Sequence, residues 1–195
     1  MRRYTIVSIR MALVTLFVLG VAYPFAMTGA AQALFPHQAN GSLIERGGTV
    51  VGSSLIGQRF SEPRYFHGRP SAAGPAGYDG LASGASNLAP TSRVLVERVR
   101  ADVLAALADE PGLEAGAVPV DMVTASGSGL DPDVSVANAL AQAPRVAAER
   151  GLDADSVRAL VERRVTPRQL GALGEPRVNV LALNLALDAG EAGVP

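Results

Sequence analysis

The stretch from Met11 to Ala31 carries no charged side chain, and Arg2, Arg3 and Arg10 stand in front of it. As a helix, those 21 residues would span roughly 31 Å, against a bilayer hydrocarbon core of about 30 Å. Lipid cannot satisfy bare backbone groups, so a single span of this kind has to be helical. Basic residues on its amino side, with none close behind it, predict an amino terminus in the cytoplasm. The organisation that follows is a cytoplasmic segment at 1–10, a transmembrane helix at 11–31 and an extracytoplasmic domain at 32–195. The competing reading is a cleaved signal peptide, with Met11–Tyr23 as its apolar region and Ala31-Gln32-Ala33 as its cleavage site. Both readings export the remainder. Ala22, Ala26 and Ala30 recur at four-residue spacing and form a small-residue stripe suited to helix packing in lipid, which favours a retained anchor. Pro24 is tolerable in such a helix where neighbouring helices or local adjustments satisfy the freed carbonyl.

No later apolar run approaches a second span. The exported part reads as one α+β domain, large enough to bury a core. Its composition removes several functions. The chain has no Cys, which excludes a disulfide framework, a thiolate metal site and a thiol nucleophile. It has two His, His37 and His67, too few for a histidine-rich metal site. Seventeen basic residues, all Arg, against eighteen acidic ones argue against nucleic acid as a partner.

Ser42-Leu43-Ile44 and Ser54-Leu55-Ile56 echo each other around Glu45-Arg46-Gly47-Gly48, which predicts a hairpin. Repeated Pro and Gly between Pro63 and Pro90 predict a long ordered loop with little regular structure. A helix is expected from Ser92, its N-cap, to Asp109, with Val96, Val99, Val103 and Leu107 facing inward. Val118–Val123 reads as a short strand and Thr124–Asp133 as a loop. Ser135 can cap a helix ending at Arg150 with Gly151 behind it, and Pro144 should kink or split that helix. Asp153 can cap the next, with Val157, Leu160 and Val161 inward. Val178–Leu187 fits a strand or a helix; a short strand running into a helix is the preferred reading.

Ser126-Gly127-Ser128-Gly129 fails the spacing of a nucleophile elbow and of a phosphate loop, and reads as a tight turn. Asp121, Asp131 and Asp133 lack the alternating pattern of a calcium loop, so turn and cap roles are expected. Arg64 and Arg69 flank Tyr65-Phe66-His67, where the aromatic rings should anchor the loop while the guanidinium groups reach water. No nucleophile, base and oxyanion donor assemble, and no catalytic residues or metal ligands are assigned.

Larger motifs go further. They are Gln38–Ile44 (QANGSLI), Gly52–Phe60 (GSSLIGQRF), Tyr65–Ala72 (YFHGRPSA), Tyr78-Asp79 and Ser83–Thr91 (SGASNLAPT). Val118–Ser135 (VPVDMVTASGSGLDPDVS), Arg145-Val146-Ala147 with Arg150-Gly151, and Leu173–Asp188 (LGEPRVNVLALNLALD) complete the set. In this order and spacing the chain resembles the C subunit of the Kdp high-affinity potassium-transporting ATPase over essentially its whole length. Asp133 departs from the pattern, where many relatives carry His. The resemblance implies a non-catalytic accessory subunit of a bacterial inner-membrane complex. Its partners would be a channel-like potassium-binding subunit, an ATP-hydrolysing pump subunit and a small single-helix subunit. The family is described as a catalytic chaperone that raises the pump subunit's affinity for ATP. That implies no firmly bound cofactor, with ATP reached through a ternary complex and nucleotide contact at Gln142 with Arg145 nearby. The arginine topology and this contact place Gln142 on opposite sides of the bilayer. An independent exported binding protein or hydrolase on the same anchor is the alternative, and co-purification with membrane partners separates the two.

Overall fold

The computed structural model describes residues 2–193. The chain divides into two compact units, Met1–Val51 and Gly52–Pro195. The first is dominated by one continuous helix, Arg2–Leu34, none of whose apolar window is buried. It consists of α1 (Arg2–Phe17), a π-helical turn (Val18–Ala22) and α2 (Tyr23–Leu34). The helix thus extends beyond both ends of the uncharged stretch. After a break at Phe35, one turn, α3 (Pro36–Ala39), leads to β1 (Leu43–Arg46).

β1 pairs with β2 (Thr49–Ser53). The hairpin expected from the sequence is present, but its return strand begins at Thr49, five residues before Ser54. Gly47 and Gly48 take φ of 60° and 80°, so a two-residue left-handed turn reverses the chain at once. Ser54-Leu55-Ile56 falls past the strand, in a turn.

Residues 54–92 of the second unit contain no helix or strand, as the Pro and Gly distribution predicts. α4 (Arg93–Asp109) follows. Ser92 has extended backbone but its side chain makes no capping bond. Val99, Val103 and Leu107 of the expected inward stripe of α4 are half-buried, and Leu95 joins them, whereas Val96 is exposed. The expected strand at Val118–Val123 is instead a helical turn, α5 (Val120–Val123). Pro119, at φ −60°, withdraws a donor at its start, and Thr124 Oγ donates to the Val120 carbonyl at 2.8 Å to close it.

The core is built from a repeated device, a three-residue strand that runs straight into a capped helix. β3 (Asp133–Ser135) enters α6 (Val136–Arg150), where the Ser135 hydroxyl accepts from the Asn138 amide at 3.1 Å. β5 (Arg177–Asn179) enters α8 (Val180–Asp188), where the Asn179 side chain accepts from the Ala182 amide at 3.0 Å. β3 and β5 pair antiparallel with Val134 opposite Val178, and β4 (Val165–Thr166) pairs on the other side of β5. The strand-then-helix reading of 178–187 is borne out. α7 (Ala154–Arg163) is capped by Asp153, and its Val157, Leu160 and Val161 are fully buried. They meet Ala139, Ala143, Val146, Val178, Leu183 and Phe66 in one apolar cluster. Pro144 neither splits nor ends α6. Its neighbours Ala143 and Arg145 are both buried, so tertiary contacts hold the helix across the missing donor. Gly151 ends α6 with φ 65°, the left-handed position that favours glycine.

Candidate functional site

The long loop is ordered by side chains rather than by a sheet. Between Pro63 and His67 its backbone lies against α6 and α8, and polar side chains from these helices pair with it residue by residue. Asn184, on α8, accepts from the Phe66 amide and donates to the Phe66 carbonyl, both at 2.9 Å. Gln142, on α6, accepts from the His67 amide at 2.7 Å and donates to the His67 carbonyl at 3.0 Å. Each carboxamide therefore does what a neighbouring strand would do for one residue. This dual pairing satisfies buried backbone groups that would otherwise be costly.

Arg145 completes the clamp. Its guanidinium donates to the Tyr65 carbonyl at 3.0 Å, to the Pro63 carbonyl, and to Gln142 Oε1 at 2.8 Å. Its Nε pairs with Glu110 Oε1 at 3.0 Å, with both side chains under a tenth exposed. Arg150 adds a bond to the Arg64 carbonyl at 2.7 Å and an ion pair with Asp188 at 2.8 Å. Tyr65 sits beneath the Arg64 and Arg150 guanidinium groups, whose central carbons lie 5.0 and 4.9 Å from its ring centre. Phe66 is wholly buried, so the aromatic pair anchors the loop as the sequence suggests.

Behind Gln142 runs a polar relay. Gln142 Nε2 donates to Asn138 Oδ1 at 2.7 Å, and Asn138 Nδ2 donates to Asp121 at 3.1 Å. Asp121 also accepts from the Ser135 amide and hydroxyl, at 2.7 and 2.8 Å. In front lies a cleft of about 630 Å³, lined in part by Arg59, His67, Arg69, Asp109, Glu110 and Gln142. Burial raises the Glu110 carboxyl above its ordinary range, against the opposing pull of Arg145. Burial also lowers the His67 imidazole, so it is neutral near pH 7. Tyr78 donates to the Arg69 carbonyl at 2.6 Å, and burial, with Asp131 adding to it, pushes its phenol up to about 12.

The structure thus brings Gln142 and Arg145 together, with their polar groups already bonded inside the fold. Ala22, Ala26 and Ala30 are exposed on the N-terminal helix. The serines at 126 and 128 accept from Gly129 and Leu130 amides as turn residues. Asp131 pairs with Arg69 and Asp133 with Arg177, each at 2.8 Å. Among the described residues, no group of three or more His, Asp or Glu side chains is placed to hold a metal ion. Sequence reasoning missed Asn138, Asn184, Glu110 and the role of Asp121. Asn138 and Asn184 fall inside helices, where Asn is a poor former because its side chain competes for backbone hydrogen bonds, and that was the available signal.

The sequence model of the family described as K+-transporting ATPase, c chain, matches residues 5–189. The chain belongs to the KdpC family. It is 61% identical to the potassium-transporting ATPase KdpC subunit of Gemmatimonas aurantiaca over 176 residues, covering 90% of this chain and 87% of that one. It is 63% identical to the subunit of the same name from Rhodospirillum rubrum over 169 residues, or 87% and 86% of the two chains. The Caulobacter vibrioides subunit is 59% identical over 172 residues, covering 88% and 85%. This KdpC chain is therefore a component of a potassium-transporting complex, and the motifs that carry the resemblance include the clamp itself. Tyr65-Phe66-His67 is clamped, while Arg145 and the Leu173–Asp188 segment supply much of the hardware.

Proposed function

We propose that this KdpC chain is a non-catalytic accessory subunit, held in the bacterial inner membrane by its N-terminal helix, with the bulk of the chain outside the cytoplasm. There it braces external loops of the channel-like subunit near the potassium entrance. Coupling to the ATP-hydrolysing subunit is then allosteric, through contacts that differ between two states of the complex. The small single-helix subunit completes the assembly. The observation that carries this reading is the engagement of Gln142 and Arg145. The best-equipped polar cluster is bonded to the loop backbone, which suits a rigid docking body. The arginines before the apolar helix support the placement.

The ternary-complex role is a second reading, favoured by one fact: Gln142 lines the cleft as well as the clamp. Nucleotide could meet it there only if a bond to His67, Asn138 or Arg145 were given up. Tagged full-length chain, extracted in mild detergent, tests the main reading. Recovery of the channel-like and pump subunits, with no ATP hydrolysis by the chain alone, is expected. Recovery of the chain alone with ligand or hydrolytic activity of its own contradicts it. Intact mass tests the anchor: a mature chain beginning near Leu34 excludes it.

A further inference from the structure

The N-terminal helix contains an exposed acceptor at the depth where lipid offers no donor. In the π-helical turn Val18–Ala22, the Tyr23 amide donates to the Val18 carbonyl, five residues back. The next residue, Pro24, has no N–H. The Leu19 carbonyl therefore loses both helical donors. Its α-helical partner, Tyr23, is turned to Val18, and its π-helical partner is Pro24. The Gly20 carbonyl loses its α-helical donor, again Pro24. Both lie near the middle of the uncharged stretch Met11–Ala31, so in a spanning helix they sit near the bilayer midplane.

An unpaired carbonyl in hydrocarbon costs several kcal/mol, and lipid tails cannot relieve it. The helix is open on this side. Gly20 has no side chain, and a Cβ built there would meet only Leu16 Cδ1, at 3.5 Å. A neighbouring backbone could approach closely. Resting on the retained-anchor reading, we infer that the Leu19–Gly20 carbonyl gap is the docking point for a transmembrane helix of a partner subunit that presents a hydroxyl or carboxamide donor at the same depth. The occupant follows from the chemistry, since an acceptor stripped of its donor selects a helix carrying one over an all-apolar helix. π-turns inside α-helices frequently mark functional sites, and here Pro24 fixes the turn in place.

The test uses the full chain expressed with its partner subunits. A photo-reactive side chain is placed at Leu16 or Tyr23, which flank the gap, and at Val14 or Val18, on the far side. Cross-links to a partner membrane subunit should concentrate at Leu16 and Tyr23. In a second arm, Pro24→Ala restores the missing N–H. It should lower partner recovery in mild detergent about three-fold, the effect of a typical hydrogen bond between membrane helices, while leaving the chain in carbonate-washed membranes. Cross-links confined to Val14 and Val18, cross-links only to a second copy of this chain, or unchanged recovery with Pro24→Ala overturns the inference and leaves the anchor intact. Loss of the wild-type chain from carbonate-washed membranes overturns both.

Discussion

Replacing Arg145 by Met removes the centre of the clamp while keeping much of the side chain's bulk. Four acceptors lose a donor: Glu110 Oε1, Gln142 Oε1 and the carbonyls of Pro63 and Tyr65. Glu110 matters most, because it is 5% exposed and its other oxygen already has no partner. Removing one member of a buried ion pair costs about 3–5 kcal/mol, chiefly through the charge left behind. That charge has an escape, which is to take up a proton. Burial already raises the Glu110 carboxyl, and the charge of Arg145, with its hydrogen bond, opposes that rise. In Arg145→Met the folded-state value climbs further, so the folded protein binds more protons than the unfolded chain. Stability then falls as pH rises above the unfolded carboxylate value, about 4.3, and levels off once the folded-state value is passed. Urea unfolding of the full chain in detergent micelles, followed by circular dichroism, should therefore show a smaller loss at about pH 5 than at about pH 8. Adding Glu110→Gln should remove that pH dependence and restore part of the stability. An equal loss at every pH, with no gain from the second substitution, would refute the reasoning.

Asn184→Ala should leave the Phe66 amide and carbonyl buried without partners, and hydrogen exchange at 65–67 should quicken about tenfold or more, since each orphaned group costs roughly 1–3 kcal/mol; unchanged protection would mean that the carboxamide does not hold the loop. Gly57→Ala puts a Cβ 2.5 Å from the Asp131 carbonyl oxygen and 2.7 Å from the Tyr78 ring, so thermal unfolding should shift downward by the equivalent of about 1–3 kcal/mol. His67 should titrate below its ordinary 6.5 by NMR. Because the unfolded chain then binds the proton more readily, its contribution to stability is lost as pH falls below the unfolded value, and a His67 midpoint above 6.5 would contradict the burial argument.

Local signals carried most of the α+β reading. Ser135, Asp153 and Gly151 mark their helix ends by side-chain chemistry that acts over a few residues, and the alternation at Arg177–Asn179 followed by Leu and Ala marks the switch from strand to helix. Proline and glycine density announced the loop. The clamp was not legible, because its pairs are long-range: Phe66 meets Asn184 across 118 residues, and Arg145 meets Glu110 across 35. Periodicity says which face of α6 is inward, but nothing in it says that a carboxamide there will stand in for a strand. The errors at Val118–Val123 and Ser54–Ile56 have a local origin instead. A proline at 119 and a two-glycine turn at 47–48 overrode the apolar pattern that suggested strands.

The proposed placement of the large unit outside the cytoplasm can be tested directly, because the chain has no Cys to interfere. Gln142 is buried and unsuited to labelling, whereas Leu81 is fully exposed. A Leu81→Cys chain, assembled with its partners, should react with a membrane-impermeant maleimide added to intact spheroplasts. Labelling seen only in inverted vesicles would place the clamp on the ATP side and contradict the account.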